Sequence, residues 1–202
     1  MNTREHWETV YENKSPDQVS WTQEKPEISL QLIKESHLPK TAKIIDIGGG
    51  DSKLVDYLLK EGYTDITVLD ISAKALEKAK TRLGKEADKV KWIVSDVTQF
   101  KPIVTYDLWH DRAAFHFLTS KDHVEMYTAI TNKFVMERLI IGTFSIQGPT
   151  RCSGLDISQY DENTLAEVFQ THFKQTKCLI TDHITPFETI QNFQFCSFKK
   201  LK

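Results

Sequence analysis

Short runs of β-branched and other apolar residues alternate along this chain with longer segments whose apolar residues recur at helical spacing. The short runs predict buried strands, and the longer segments predict amphipathic helices. Alternation of this kind is typical of a parallel sheet whose strands are joined by crossover helices. The pattern therefore predicts an α/β fold.

Five strands are predicted, over residues 42–47, 65–69, 90–94, 106–109 and 138–144. The C-terminal part differs, because two further extended runs, 177–184 and 189–198, are joined by only four residues. Strands with so short a connection pair in the antiparallel direction. We therefore expect a mostly parallel sheet that ends in a C-terminal antiparallel hairpin.

Composition limits the possible functions. At 202 residues, with 40% hydrophobic and 27% charged residues, the chain fits one globular domain with a substantial core. The 26 basic and 28 acidic side chains nearly cancel, so no nucleic-acid partner is expected. No stretch approaches a membrane span, and the charged N-terminus lacks a signal-peptide core, so we expect a cytoplasmic protein without a membrane partner.

The three cysteines, Cys152, Cys178 and Cys196, lie far apart in the chain. No CxxC pair or Cys/His cluster has metal-ligand spacing, so no metal is expected. In a cytoplasmic protein we expect the thiols to be reduced. Cys152 is interpreted as an ordinary loop cysteine, although a redox or acceptor-binding role is open to it. Oligomeric state is not visible in the sequence.

Three glycines, Gly48, Gly49 and Gly50, directly follow the first predicted strand and precede a helix. Glycines at such a turn allow the backbone to approach a ligand closely. The alternative is a tight strand-to-helix turn without a ligand. A dinucleotide fingerprint would need its third glycine at Lys53, so the fit to NAD is poor.

Acidic residues end the next two predicted strands. Asp70 lies twenty residues after Gly50, where a carboxylate can accept hydrogen bonds from both hydroxyls of a ribose. Asp96 ends the third strand. In open α/β sheets, ligands bind outside the carboxyl ends of the strands, so these residues predict a binding site there. A plain turn or cap role is the alternative for each.

The fourth predicted strand runs into three charged or titratable residues, His110, Asp111 and Arg112. Such residues at the same edge of the sheet are candidates for contact with a reacting group. Asp111 and His110 could accept a proton or orient an amine or thiol, and Arg112 could hold an anionic acceptor group or anchor Asp111. A structural ion pair between Asp111 and Arg112 is the alternative.

The order and spacing of Asp46-x-Gly48-x-Gly50, Asp70, Ser95-Asp96 and Tyr106-Asp107-Leu108 resemble those of class I S-adenosylmethionine (SAM)-dependent methyltransferases. The resemblance covers about residues 41–199, and it implies a Rossmann-like three-layer sandwich with a seven-stranded sheet. It also implies SAM as cofactor and S-adenosylhomocysteine as product. One departure is Ser52, where the family often has a final glycine.

The resemblance implies a role for each part of the site. Asp46 and Gly48, Gly49 and Gly50 would bind the methionine part of SAM, Asp70 the ribose, and Asp96 with Val97 the adenine. The cofactor-binding residues expected on this basis are Trp21, Asp46, Gly48, Gly49, Gly50, Asp70, Ile71, Asp96, Val97 and His110. The expected catalytic residues are His110, Asp111 and Arg112.

The stretch from Trp109 to Phe115 resembles small bacterial-type methyltransferases, and is similar to stretches of thiopurine S-methyltransferases and of some protein-lysine methyltransferases. The N-terminal residues, with Trp7, Tyr11 and Trp21, resemble the lid of these groups; packing of these aromatic residues on the sheet is the alternative. We accordingly expect a helical lid segment over residues 1–40, with helices near 4–12 and 27–37, and a methyltransferase domain over residues 41–202, within one domain.

Three functions remain open at this stage. The first is methyl transfer to a small molecule, at a thiol, another heteroatom or a carboxylate. The second is methylation of a protein lysine. The third is SAM binding without turnover. Methyl transfer requires alignment more than proton chemistry, so the sequence indicates the cofactor more clearly than the acceptor.

Overall fold

The computed structural model describes residues 3–202, so the first two residues of the predicted lid segment lie outside the described part. Six α-helices are present: α1 (Thr3–Asn13), α2 (Glu27–Glu35), α3 (Leu54–Lys60), α4 (Ala73–Leu83), α5 (Lys121–Phe134) and α6 (Glu162–Phe169). The strands are β1 (Lys43–Ile47), β2 (Asp65–Asp70), β3 (Val90–Val94), β4 (Tyr106–Arg112), β5 (Val135–Phe144), β6 (Arg151–Cys152), β7 (Leu155–Asp156), β8 (Phe173–Ile184) and β9 (Ile190–Lys200).

Seven of the strands form one sheet in the order β3-β2-β1-β4-β5-β9-β8. The first five strands in this order are parallel to one another, whereas β9 is antiparallel to both β5 and β8. The predicted parallel sheet with a C-terminal antiparallel hairpin is therefore confirmed. The order reverses between β1 and β4, where α/β folds of this kind open a crevice for ligands.

Two apolar clusters cover the two faces of the sheet, because successive residues of a strand point to opposite faces. On one face Ile44 packs with residues of α2, α3 and α4. On the other face Ile45 packs with residues of α5 and α6. The expected three-layer sandwich follows from this alternation.

Several boundaries differ from the predicted ones, and one difference affects the site. β4 continues to Arg112, where the sequence pattern ended the strand at Trp109, because β4 pairs with β5 as far as Arg112 and Gly142. The segment predicted as a loop after β5 contains a two-stranded hairpin of β6 and β7. β8 begins at Phe173, four residues before the predicted start.

The expectation that all cysteines are reduced thiols is wrong for one pair. Cys178 of β8 and Cys196 of β9 face each other in the strand register and form a disulfide. The disulfide joins two residues that are 18 positions apart and closes the C-terminal hairpin covalently. Cys152 is a free thiol.

No helix described between residues 3 and 202 is long and apolar enough to cross a membrane. Within the same residues, no group of three or more His, Cys, Asp or Glu side chains is arranged to hold a metal ion.

Candidate active site

A cavity of about 1140 Å³ lies at the carboxyl ends of the parallel strands and extends beneath the N-terminal segment, residues 3–26. It exceeds the usual volume of a pocket for one drug-sized ligand, roughly 300–1,000 Å³. With one exception, the residues expected to bind the cofactor line it: Trp21, Asp46, Gly48, Gly49, Asp70, Ile71, Asp96, Val97 and His110. The exception is Gly50, which lies beneath Tyr11.

The glycine turn after β1 leaves no room for side chains. Gly48 has a φ of +61°, and a Cβ there would lie 2.7 Å from the Cβ of Ala114. A Cβ on Gly49 would lie 2.8 Å from Oδ2 of Asp46. Both approaches are shorter than side chains tolerate, so packing requires glycine at both positions, and both glycines line the cavity.

Asp70 lies at the end of β2, lines the cavity and is buried. Its Oδ1 accepts a hydrogen bond of 2.8 Å from the backbone N–H of Ser72. Burial raises the pKa of Asp70 to about 7, although the N–H groups of Ser72 and Gly50 act to lower it. This carboxylate is costly to hold in the free protein, and hydroxyl donors from a ligand would stabilise its ionised form.

Asp96 also lines the cavity, and its Oδ1 caps a short 3₁₀ helix, Val97–Gln99. This oxygen accepts from both the backbone N–H and the hydroxyl of Thr98, at 2.8 and 2.7 Å. Ile71 and Val97 supply apolar surface to the same part of the wall. The region is half-buried and mixed in polarity, as a base with edge nitrogens and apolar faces requires.

His110 connects the glycine turn to α2. Its Nδ1 lies 2.7 Å from Oδ1 of Asp46, and its Nε2 lies 2.9 Å from the hydroxyl of Ser29. A carboxylate only accepts, so Nδ1–H donates to Asp46 and, in the neutral ring, Nε2 accepts from Ser29. Both nitrogens are occupied, so His110 orients Asp46 rather than presenting a free base to an acceptor.

Asp111 does not lie at the cavity wall, which corrects its expected place beside the acceptor. It is fully buried on the opposite face of the sheet. Its Oδ1 accepts from the backbone N–H groups of Ala114 and Phe115, and its Oδ2 from the hydroxyl of Tyr127. Burial raises the pKa of Asp111 to about 6 against these hydrogen bonds. The carboxylate holds the turn after β4 in place.

Arg112 lines the cavity and is not paired with Asp111. Its Nη1 donates to the backbone carbonyl of Trp21 at 3.0 Å, and its guanidinium carbon lies 4.8 Å from the ring centre of Phe193. Its Nε and Nη2 are buried without a hydrogen-bond partner in the described chain. Burial lowers the pKa of Arg112 to about 10, although the nearby Cys152 and Asp46 act to raise it.

Cys152, in β6, is buried and also lines the cavity. Burial raises the pKa of its thiol to about 11, against the charge of Arg112. The thiol is therefore protonated near neutral pH and poorly suited to nucleophilic chemistry.

The N-terminal segment covers part of the cavity. Glu8 of α1 accepts hydrogen bonds from the hydroxyl of Ser72 and from the backbone N–H groups of Ala73 and Lys74, at 2.8–3.1 Å. The glutamate thus caps the N-terminus of α4 from another element. Tyr11 and Trp21 pack with Trp7 over the cavity, with ring centres 5.6–6.3 Å apart.

Sequence reasoning missed two members of this site, Ser29 and Glu8. A buried serine among the apolar residues of α2 is a signal for a polar partner, because such a hydroxyl needs a hydrogen bond. Glu8 gives no comparable signal, since it is one of several charged residues on an exposed helix and its partners are more than sixty positions away.

Comparison with known proteins agrees with this geometry. A family model described as a methyltransferase domain matches residues 44–133. Mouse EEF1A lysine methyltransferase 2 is 28% identical over 94 residues, which cover 43% of this chain and 38% of that protein. The malonyl-[acyl-carrier protein] O-methyltransferase of Anoxybacillus flavithermus is 35% identical over 86 residues, covering 42% of this chain and 31% of that enzyme. The chain thus spans well under half the length of either relative.

Solved methyltransferase structures share the fold over nearly the whole chain. The N-methyltransferase NodS from Bradyrhizobium japonicum, in complex with S-adenosylhomocysteine, superposes with a TM-score of 0.75 at 16% identity, covering 100% of both chains. The 1,6-didemethyltoxoflavin-N1-methyltransferase of Burkholderia thailandensis has a TM-score of 0.71 at 18% identity, covering 98% of this chain and 87% of that one. These structures show that the chain has the fold of SAM-dependent methyltransferases, and residues 44–133 match a methyltransferase domain.

Proposed function

We propose that this protein transfers a methyl group from SAM to a small-molecule acceptor. The observation that carries the proposal is the large cavity, which holds a cofactor-type wall on β1, β2 and β3 and continues past it to Arg112. Its volume leaves room for a second molecule beside a nucleoside-sized cofactor. When bound, SAM supplies the methyl group on a sulfonium, and S-adenosylhomocysteine is the product.

The chain's own residues divide the work of binding the cofactor. The bare backbone of Gly48 and Gly49 admits the methionine part, next to the carboxylate of Asp46, which His110 orients. Asp70 accepts from the ribose hydroxyls, and Asp96 with Ile71 and Val97 forms the wall for the adenine. Tyr11 and Trp21 cover the site and exclude water.

The acceptor would lie on the β4 side of the cofactor, where the wall is formed by Arg112, Phe117 and the ring of Trp7. Arg112 remains protonated near neutral pH, with its pKa at about 10, and both ring nitrogens of His110 are hydrogen-bonded. The described residues therefore contribute alignment and exclusion of water rather than a strong base. Such a site suits an acceptor atom that is already nucleophilic, such as a thiolate, a neutral amine or a carboxylate.

Methylation of a protein lysine is the second candidate. It is favoured by the similarity to EEF1A lysine methyltransferase 2 of mouse and of human, at 28% and 27% identity over 94 and 105 residues. The N-terminal segment would then have to admit a lysine side chain from the surface. The closed arrangement of Trp7, Tyr11 and Trp21 favours a small acceptor instead.

The test uses purified protein, methyl-labelled SAM and a desalted cell lysate, with and without the small-molecule fraction added back. Label that appears in small solutes only when this fraction is returned supports the proposal. Label in a discrete protein band supports the lysine alternative. Binding of S-adenosylhomocysteine without transfer to either pool favours a non-catalytic SAM-binding protein. An Asp70→Ala variant, expected to weaken binding by roughly 1.5–3 kcal/mol, is the control for the cofactor site.

A further inference from the structure

Arg112, in the wall of the cavity, makes no hydrogen-bonded ion pair with a carboxylate in the described chain. Nη1 of Arg112 is bonded to the carbonyl of Trp21, but Nε and Nη2 have no partner among residues 3–202. A buried charge without a counter-ion is expensive, so arginines of this kind are normally paired with a carboxylate or phosphate. Among the other cations that line the pocket, Lys53, Lys74 and Arg82 pair with carboxylates.

The two free nitrogens form one edge of the guanidinium plane. Nε–H and Nη2–H point in parallel, and this pair of donors matches the two oxygens of a carboxylate. The face of the guanidinium is already used, because it stacks on the ring of Phe193 at 4.8 Å. Stacking leaves the in-plane donors available, so the arrangement is pre-organised to bind an anion from one direction.

No described neighbour of Arg112 accepts a hydrogen bond from its Nε or Nη2. Nδ1 of His116 accepts from the backbone N–H of Phe144, which places the ring proton on Nε2, and this Nε2 is buried without a partner. His183 donates its Nε2–H to the carbonyl of Ser20 at 2.6 Å. The Cys152 thiol is protonated. The carboxylate of Asp46 is near enough to act on the pKa of Arg112, but its Oδ1 is bonded to His110 and it makes no hydrogen bond to the guanidinium.

The position of Arg112 separates it from the expected cofactor residues. Asp96 and Gly48 follow β3 and β1 and Asp70 ends β2, whereas Arg112 ends β4, the strand beside β1 in the sheet. Aromatic rings cover the intervening space, since Trp7 packs on both Trp21 and Phe117 with ring centres 5.6 and 5.2 Å apart. A ligand reaching Arg112 from the cofactor side would lie against these rings.

We propose that the methyl acceptor is an organic carboxylate with an apolar, aromatic body, and that the Nε and Nη2 edge of Arg112 binds its carboxylate. The inference rests on the proposed methyltransferase function and adds the acceptor class to it. Both nitrogens are shielded from solvent, and the third guanidinium nitrogen is bonded to the carbonyl of Trp21, so entry of the carboxylate is expected to alter this contact. Binding therefore changes the environment of the Trp21 ring.

The test measures binding to the full chain loaded with S-adenosylhomocysteine. The probes are benzoate, phenylacetate and 3-phenylpropanoate, each paired with its neutral carboxamide, and phenyl phosphate as the second anion. Calorimetry gives the affinity and tryptophan fluorescence gives the response of Trp21, with a Trp21→Phe variant to assign the signal. We expect at least one carboxylate to bind roughly tenfold more tightly than its carboxamide.

Three variants decide whether Arg112 is responsible. Arg112→Met should abolish the preference for carboxylate, and Arg112→Lys should retain only part of it, because an ammonium lacks the paired donors. Lys74→Met removes a cation that is already paired and should keep the full preference. Each variant is first shown to bind S-adenosylhomocysteine within about threefold of the wild type, which establishes that the site is folded.

The outcomes separate this inference from the proposed function. If the protein does not bind S-adenosylhomocysteine, the proposed function fails. If it does bind, but no probe binds or carboxylates bind no better than carboxamides, the inference is overturned. Equal preference in wild type and Arg112→Met likewise overturns it, as does tighter binding of phenyl phosphate than of every carboxylate. If Arg112→Met weakens binding of carboxylate and carboxamide equally, Arg112 acts only by holding the carbonyl of Trp21, and the inference is again overturned.

Discussion

At the scale of single residues, the ionisation of Asp70 links cofactor binding to pH. Its pKa in the free protein is raised to about 7, so near pH 6 most molecules carry a protonated Asp70. Hydroxyl donors bind the ionised form, and they therefore lower this pKa on binding. We expect S-adenosylhomocysteine to bind roughly tenfold more tightly at about pH 8 than at about pH 6, measured by calorimetry.

Asp70→Asn is the matched control, because its amide oxygen can still accept from the N–H of Ser72. The variant should bind S-adenosylhomocysteine more weakly and with little dependence on pH in this range.

The stability of the free protein should depend on pH in the opposite direction to cofactor affinity. A raised pKa of Asp70 means that the folded chain holds a proton that the unfolded chain releases. The free energy of unfolding therefore falls as the pH rises toward 7. If binding of S-adenosylhomocysteine to Asp70→Asn depends on pH as steeply as binding to the wild type, the assignment of Asp70 to the ribose is wrong.

Asp111 illustrates a structural role for a residue first expected to be catalytic. Asp111→Ala leaves two backbone N–H groups and the Tyr127 hydroxyl unsatisfied, and it should lower the free energy of unfolding by roughly 2–4 kcal/mol. Asp111→Asn keeps an oxygen for the N–H groups and removes a costly buried charge, so its effect should be much smaller. Urea unfolding measures both.

Affinity for S-adenosylhomocysteine should remain close to wild type in Asp111→Asn, since the carboxylate is outside the cavity. A large loss of affinity in this variant, with normal stability, would show that Asp111 takes part in ligand binding.

At the scale of elements, the placement of three neighbouring residues was decided by the end of one strand. β4 continues through Arg112, and residues two apart in a strand share a face. His110 and Arg112 therefore point toward the cavity, and Asp111 points toward α5. The sequence pattern ended β4 at Trp109, because the next three residues are charged or titratable, and this alternation was therefore not predicted. Pairing with β5, which the sequence pattern does not reveal, extends β4 to Arg112.

The docking of α1 on α4 gives a prediction at the same scale. Glu8 makes three hydrogen bonds to the first turn of α4 and its cap, and these bonds hold its pKa below the ordinary value even though burial acts to raise it. Glu8→Ala should release the N-terminal segment and speed dissociation of S-adenosylhomocysteine roughly tenfold, as measured by stopped-flow fluorescence.

Glu12→Ala is the control for this change, because Glu12 lies on the same helix and pairs with Lys74 only through an exposed ion pair. Exposed pairs contribute little, so its dissociation rate should stay within about twofold of wild type. If both variants behave alike, the contact of Glu8 with α4 is not what holds α1 in place.

At the scale of the whole molecule, the fold was predictable from the sequence and the partial cover over the cavity was not. Apolar runs, glycine turns and strand-end carboxylates are local signals. They predicted the sheet, the edge of the sheet at which the site lies, and site residues such as Asp70. The cover over that edge depends on contacts between distant segments, such as Arg112 with Trp21 and Glu8 with Ser72. Neither contact has a local pattern that would identify its partner.

This division predicts how the molecule responds to its cofactor. The sheet and its two apolar clusters hold together without a ligand, whereas the N-terminal segment rests on a few polar contacts and on the cavity that it covers. Saturating S-adenosylhomocysteine at about 100 times its dissociation constant should stabilise the fold by roughly 2.7 kcal/mol. In hydrogen exchange measured by mass spectrometry, the added protection should concentrate in α1 and the residues leading to α2.

The hairpin of β8 and β9 provides the internal reference, because its disulfide and its ladder lie away from the cofactor wall. Its exchange should change only as far as the global stability changes. Added protection spread evenly over all segments would mean that the N-terminal segment is as firmly held in the free protein as the sheet is. The cofactor would then enter without its opening, and the role of Glu8 and Trp21 as a movable cover would be excluded.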